Sequence, residues 1–386
     1  MLQPELLLNE RNPIGMSTPR KVPFFDYPRL FLDNREEILG IIEDVGRRGA
    51  FIMQADLAEF ETELATYTAA RHSVGVANAT DGLELAWLAV GLEKGDEVII
   101  SSHTMLATAS AIVTAGGTPI PVEIGDDNLI DPDAILAAIS PRTVGISPTQ
   151  LNGRTCNMDK IMKIASDKKL VVVEDAAQAL GSSFKGKHAG TFGIAGSFSF
   201  FPAKVLGCLG DGGGVVTSDS KIFEKIYQLH DHGRDTNGEI KSWGRNSRLD
   251  NLQAAILNKR FSRYAEVVTR RRAIAKIYQE YLVNLQELQL PPKPEENGDH
   301  FDVFQNYEIQ AERRDELKKY LADRNIGTII QWGGKGVHQW EGLGFTQQLP
   351  KVEKFFEQSL MLPINMFVSD EDVLYVCDAI SNFYRI

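Results

Sequence analysis

The stretch VVVEDAAQALG, residues 171–181, governs how the whole chain reads. Val171–Val173 make a short, wholly apolar, β-branched run, the pattern of a strand buried on both faces. Glu174 and Asp175 stand at its carboxyl end. A carboxylate there can face a bound ligand, or it can cap a following helix, since Asp is a favoured N-cap. Outward from this run the pattern recurs. His72–Val76, Glu97–Ser101, Thr118–Ile124, Thr143–Ser147, Ser197–Phe201 and Gly214–Ser218 are further such runs, separated by helical segments. With Leu170–Glu174 they make seven strands. The alternation predicts an α/β fold: a large domain with a mostly parallel seven-stranded sheet covered by helices. Ligands of such sheets sit outside the carboxyl ends of strands, so residues there carry the most functional weight.

Residues 1–20, with Pro4, Pro13 and Pro19, read as an N-terminal arm. Asp56 and Glu59 form a D-x-x-E capping box, and Leu57, Phe60 and Leu64 recur at helical spacing. Together they predict an amphipathic helix over about 57–70. Residues 250–286 read as a long helix broken at most once. LPPKPEENGDH (290–300) reads as a surface crossing. Beyond it FQNYEIQA (304–311) and IGTIIQW (326–332) read as strands, and RRDELKKYLADRN (313–325) and Asp370–Tyr384 as helices. The expected organisation is an arm (1–20), a large α/β domain (21–249), a bridging helix (250–286) and a small C-terminal α+β domain (287–386).

A chain of 386 residues that is 43% apolar and 24% charged is not mainly disordered, and its length points to two lobes. The 41 basic against 52 acidic residues leave a formal charge of -11. That balance disfavours nucleic acid or an anionic membrane as partner, without excluding one phosphate held by local donors. The three cysteines, Cys156, Cys208 and Cys377, are odd in number and widely spaced. They exclude a disulfide framework and a structural zinc site, and they fit a reducing compartment. The start, MLQPELLLNERNPIGM, lacks the basic region of a signal peptide, and no apolar stretch reaches about 18 residues. A cytoplasmic protein is expected. His230 and His232 lie at i,i+2 without a supporting ligand cluster, so no metal is expected.

Two further stretches carry chemistry. In GSFSFFPAKVLGCLGDGGGVVTSD (196–219), Lys204 follows a strand and sits among Phe198, Phe200, Phe201, Val205 and Leu206. Burial would strip its charge and leave a neutral amine, the nucleophile that Schiff-base chemistry requires; a solvated surface lysine is the alternative. The glycines after it form neither a Walker A loop nor a dinucleotide fingerprint, because no G-K-[ST] ends them and they precede a strand. In VANATDGLELAW (76–87), a strand runs through small residues into an apolar helix. A helix start of this kind is either a phosphate site or a helix capped by Thr80 or Asp81.

These stretches resemble the DegT-type nucleotide-sugar aminotransferases, which are fold-type-I pyridoxal phosphate enzymes. The resemblance runs from about Val22 to the C-terminus. ANATDGLELA, SSHTMLATASAI, VEDAAQALGSS, SFSFFPAKVLGCLGDGGGVVTSD and RNSRLDNLQAAIL occur in the family's order, with Asp175 and Lys204 29 residues apart. It implies that Lys204 carries pyridoxal 5'-phosphate as a Schiff base and that Asp175 pairs with the ring nitrogen. Gln178 matches the residue near the ring hydroxyl. Thr80, Ser199 and the N–H of Asp81 match the phosphate contacts, and Asn246 matches an asparagine reaching the phosphate from the partner subunit of a homodimer.

Met105 stands where the family has an aromatic residue on the cofactor ring. A thioether can pack on a ring, and His103 is near enough in sequence to help. Gln150-Leu151-Asn152-Gly153 replaces a His-Leu-Tyr-Gly stretch, and QWGGKGVHQW (331–340), with His338, replaces a Pro-rich one. These segments lie where the family contacts substrate, so His103 and His338 are the expected substrate residues. The expected reaction moves an amino group from glutamate to a nucleotide-linked keto-sugar. VLGCLGDGG (205–213) resembles the branches that aminate C3, in which glycines would leave room for the hexose ring, so a dTDP- or UDP-linked 3-keto-6-deoxyhexose is the expected acceptor. The alternatives are a 4-keto acceptor, a sugar dehydratase and a non-catalytic sensor or scaffold. The dehydratases carry His where Lys204 stands.

Overall fold

The computed structural model describes residues 20–385; the expected arm otherwise lies outside the described residues. The central sheet contains β1 (His72–Val76), β2 (Glu97–Ser101), β3 (Thr118–Val122), β4 (Thr143–Ser147), β5 (Val171–Asp175), β8 (Ala195–Ser199) and β9 (Gly213–Thr217), in the order β1-β9-β8-β5-β4-β2-β3. Only β9 runs against the others. Two short strands, β6 (Ser183–Phe184) and β7 (Lys187–His188), make a separate ribbon with β11 (His300–Phe301). The large-domain helices are α1 (Tyr27–Leu32), α2 (Arg35–Arg48), α3 (Ala55–Thr68), α4 (Ala79–Ala89), α5 (Leu106–Thr114), α6 (Pro132–Ala138), α7 (Met158–Lys168), α8 (Ser220–His230) and α9 (Asn251–Phe261). Gly145 of β4 is required by packing: a Cβ there would sit 2.5 Å from the Trp87 ring of α4. Among the described residues no helix is long and apolar enough to cross a membrane.

Helix α3 starts without the expected capping box. Asn251 Oδ1 accepts from the Leu57 N–H at 2.9 Å, while Asp56 turns to Arg48 at 3.0 Å and to Asn251 Nδ2 at 2.6 Å. Asp56 lies inside the helix, which begins at Ala55, so a residue distant in sequence takes the first-turn N–H instead. The bridging helix breaks once, between α9 and α10 (Tyr264–Leu282). Its second half contributes Ile274, Ala275, Tyr278 and Leu282 to the small-domain core.

The small domain has β10 (Leu288–Gln289), β12 (Tyr307–Ala311) and β13 (Ser359–Leu362) as an antiparallel sheet, with α11 (Arg314–Ala322), α12 (Pro350–Gln358) and α13 (Asp370–Arg385). Two expectations need correction here. IGTIIQW is not a strand; Ile326 bridges Val22, Ile329 bridges Met361, and Trp332 kinks at φ 45°. Val22, placed by the sequence in the large domain, is buried in the small-domain core.

Glu61 of α3 supplies a pH prediction. It accepts the Gly75 N–H at 2.7 Å, and burial raises its carboxyl to about 7. Below the unfolded value, about 4.5, the group is neutral in both states. As pH rises toward 7 the unfolded chain ionises first and native stability falls. Glu61→Gln, which can still accept from Gly75, is expected to raise the melting temperature by a few degrees at pH 8. At pH 5 it should do little. Equal effects at both pH values in thermal melts would remove the burial argument.

Candidate active site

Asp175 ends β5 and is 3% exposed. It lies beside β4, which continues into a loop whose Gln150 N–H donates to the Asp175 carbonyl at 2.8 Å. No helix follows Asp175, so the capping alternative is replaced by a turn: Oδ1 accepts the Ala177 N–H at 3.1 Å. Oδ2 accepts from Thr108 of α5 at 2.5 Å. Burial pushes the Asp175 carboxyl up, and Thr108, Ala177 and Lys204 pull it back. Lys204 stands in the turn after β8, its N–H donating to the Phe201 carbonyl at 2.8 Å. Lys204 is half-buried, and desolvation lowers its amine to about 8, against the opposing charge of Asp175. The neighbouring acid Glu174 has a different task. It accepts the N–H groups of Gly190, Phe192 and Gly193 and the amide of Gln150, which fixes the loop leading into β8.

The start of α4 converges on the same strand ends. Ser197 Oγ donates to the Ala79 carbonyl at 3.0 Å, and Ser199 pairs across to Gly213. A Cβ on Gly213 would meet Asn78 at 2.5 Å. The cap is Asn78, not Thr80 or Asp81: its Oδ1 accepts the Asp81 N–H at 2.9 Å. The expected use of the Asp81 N–H therefore needs correction, and the Asp81 carboxylate is held by Arg245 at 3.0 Å and Ser247 at 2.7 Å. Among the described residues nothing accepts from the N–H groups of Ala79 and Thr80 or occupies the Thr80 hydroxyl. Ser199 Oγ accepts only the Phe201 N–H, at 3.3 Å, so its own proton is free. Gln178 Oε1 accepts the Asn152 N–H at 2.8 Å, which leaves its amide NH2 as the outward donor.

The other candidates separate into two groups. Met105 caps α5, is 49% exposed, and keeps one face open one turn before Thr108. Asn246 is exposed, and among the described residues its side chain is taken only by Arg248, at 3.0 Å. His338 is corrected, since both its ring nitrogens are taken, and both histidines are buried in the seam between the domains. His103 Nδ1–H donates to the Asn128 carbonyl at 2.8 Å, Nε2 lies 3.4 Å from Glu308, and the ring packs on Phe355. His338 Nδ1 accepts from the Ser102 hydroxyl at 2.7 Å, and Nε2–H donates to Glu353 at 3.1 Å. These contacts pin α12 to the loop after β2 and spend both His338 nitrogens, while the buried His103 Nε2 has no hydrogen-bond partner among the described residues. Gln150 and Asn152, in the QLNG segment, are likewise spent internally; Asn152 Nδ2 donates to Glu308 at 2.7 Å and so ties the two domains.

The profile of the DegT/DnrJ/EryC1/StrS aminotransferase family matches residues 32–381. The chain belongs to that family. It is similar to the pleiotropic regulatory protein of Geobacillus stearothermophilus, with 36% identity over 94% of this chain and 99% of the relative. It is equally similar, at 36% identity, to the dTDP-3-amino-3,4,6-trideoxy-alpha-D-glucose transaminase of Streptomyces venezuelae, over 94% of this chain and 96% of the relative. Among solved structures, S. venezuelae DesV in complex with a ketimine intermediate superposes with a TM-score of 0.91 at 36% identity, covering 96% of this chain and all of the other.

A DegT/DnrJ/EryC1/StrS aminotransferase depends on pyridoxal phosphate, and the residues present fit that group. A half-buried lysine amine and a buried carboxylate stand near neighbouring strand ends, and two free N–H groups with two hydroxyls gather where Gly213 admits the first turn of α4. A groove of about 470 Å³ between α1–α2 and α9–α10 touches the back of the Lys204 turn, but Asp175, Gln178, Ser199 and Thr80 do not line it. Close packing calls for several of the glycines after Lys204. A Cβ on Gly207 would lie 2.7 Å from the Phe201 carbonyl, and one on Gly212 2.9 Å from Cys208. Sequence reasoning missed Thr104, Thr108 and Thr149; Thr104 precedes α5 and Thr149 follows β4, so no helix or strand spacing groups them.

Proposed function

We propose that this aminotransferase transfers an amino group from glutamate to C3 of a dTDP- or UDP-linked 3-keto-6-deoxyhexose. The observation that carries the reading is the buried Asp175 carboxylate at the end of β5, with the half-buried Lys204 close enough for its charge to act on it. The S. venezuelae relative, whose product name places the amine at C3, supports the position. Bound pyridoxal phosphate would supply an electron sink that accepts the donor's electrons and returns them to the sugar. Lys204 would tether it and, once released, move a proton as a neutral base. Asp175 would keep the ring nitrogen protonated. Thr80, Ser199 and the N–H groups of Ala79 and Thr80 would hold the phosphate, Gln178 would donate to the ring hydroxyl, and Met105 would cover the ring.

Asn246, exposed beside Arg245 and Arg248, would complete the partner subunit's phosphate site in a homodimer. The buried free thiols of Cys156, Cys208 and Cys377 accord with a reducing, cytoplasmic setting. The regulatory name of the Geobacillus relative favours a second reading, a sensor that binds the cofactor without turnover.

A panel of 3-keto and 4-keto sugar nucleotides, each incubated with glutamate, tests both readings. The expected product carries its amine at C3 by NMR. An amine at C4, with every 3-keto substrate untouched, would overturn the regiochemistry. No product from any of them would favour the sensor.

A further inference from the structure

Asp175 is reached from inside the large domain by a file of three hydroxyls. Thr108 Oγ1 lies 2.5 Å from Asp175 Oδ2, Thr104 Oγ1 lies 2.8 Å from Thr108 Oγ1, and Thr149 Oγ1 lies 2.7 Å from Thr104 Oγ1. All four residues are at most 5% exposed, so water does not compete for these bonds. Each hydroxyl has one proton to give. An ionised Asp175 can only accept, so Thr108 gives it that proton. Thr108 can then only accept from Thr104, and Thr104 only from Thr149. The direction of the file follows from the charge at its end, and each bond polarises the next.

We propose that Thr108, backed by Thr104 and Thr149, is a positioning residue that keeps Asp175 ionised and aimed at the cofactor's ring nitrogen. The proposal rests on the role given to Asp175 above. Asp175 needs such support because its strand end is dry. Thr108 is the largest of the influences that offset its burial, ahead of the Ala177 N–H and of Lys204, the charged group that acts on it. Glu174 belongs to the opposite face of the strand and is spent on residues 190–193. With Thr108 on Oδ2 and Ala177 on Oδ1, neither oxygen can turn away.

Thr108→Val keeps the shape and removes the donor. Asp175 then becomes the better base and draws the ring proton toward itself. A ring nitrogen that has lost its proton withdraws less from the Lys204 nitrogen, which therefore holds its own proton to higher pH. The visible absorbance of the loaded protein is expected to titrate about half a unit or more above the parent. The kcat should fall about tenfold, the scale of one hydrogen bond to a charged group, with KM for the sugar unchanged. Thr108→Ser should restore both. Thr104→Val, one hydroxyl further back, should shift the titration the same way by less. Asp175→Asn is the control and should shift it furthest. A parent-like titration in Thr108→Val, with Asp175→Asn shifted, overturns the relay and leaves the role of Asp175 standing. Parent-like titrations in both overturn that role and the relay with it. If Thr108→Val fails to hold the cofactor, the Thr104→Val titration decides by the same criterion.

Discussion

Lys204→Ala is expected to fold, to lose the visible absorbance of the bound cofactor, and to lose transamination by about four powers of ten or more, since tether and proton carrier vanish together. Folding should survive because the side chain is not a packing unit. Its amine is held below its ordinary value by burial, so the charged form is a cost to the native state at neutral pH. Removing it takes that cost away, and the cofactor-free variant should melt no lower than the cofactor-free parent. Absorbance, turnover and thermal melting together check the assignment. Normal turnover with retained absorbance would mean that another amine holds the cofactor.

Asp175→Asn is expected to cost about two powers of ten or more in rate, on the order of 3 kcal/mol. The substitution separates two tasks of one side chain. An asparagine carbonyl can still accept from Thr108 or from Ala177, so the local turn keeps a partner. It carries no charge, so the protonated ring nitrogen loses its anionic partner and the electron sink weakens. A rate close to the parent's would show that Asp175 serves the turn alone.

Much of the fold was legible in the chain. All seven central strands lie within about two residues of their expected bounds, because a buried strand is short and mostly apolar or small whatever surrounds it. Local rules failed where distant residues intervened. The Asp56 capping box yielded to Asn251 and Arg48, and the IGTIIQW run gave way to Ser359–Leu362 as the strand beside β12. The surroundings of the histidines were hidden for a related reason. His103 and His338 sit beside motif residues in sequence, but small-domain side chains enclose both.

By itself the sequence determined the α/β architecture, the family and the presence of Lys204 and Asp175 at strand ends, since each follows from short-range pattern or from motif order. Only the tertiary structure decided that Asn78 is the cap, that Gly207 and Gly213 lie against neighbouring backbone, and that Thr108, Thr104 and Thr149 stand in file behind Asp175. A hydrogen bond depends on separations of a few ångströms between groups that the chain brings together from far apart, and no local pattern encodes those separations.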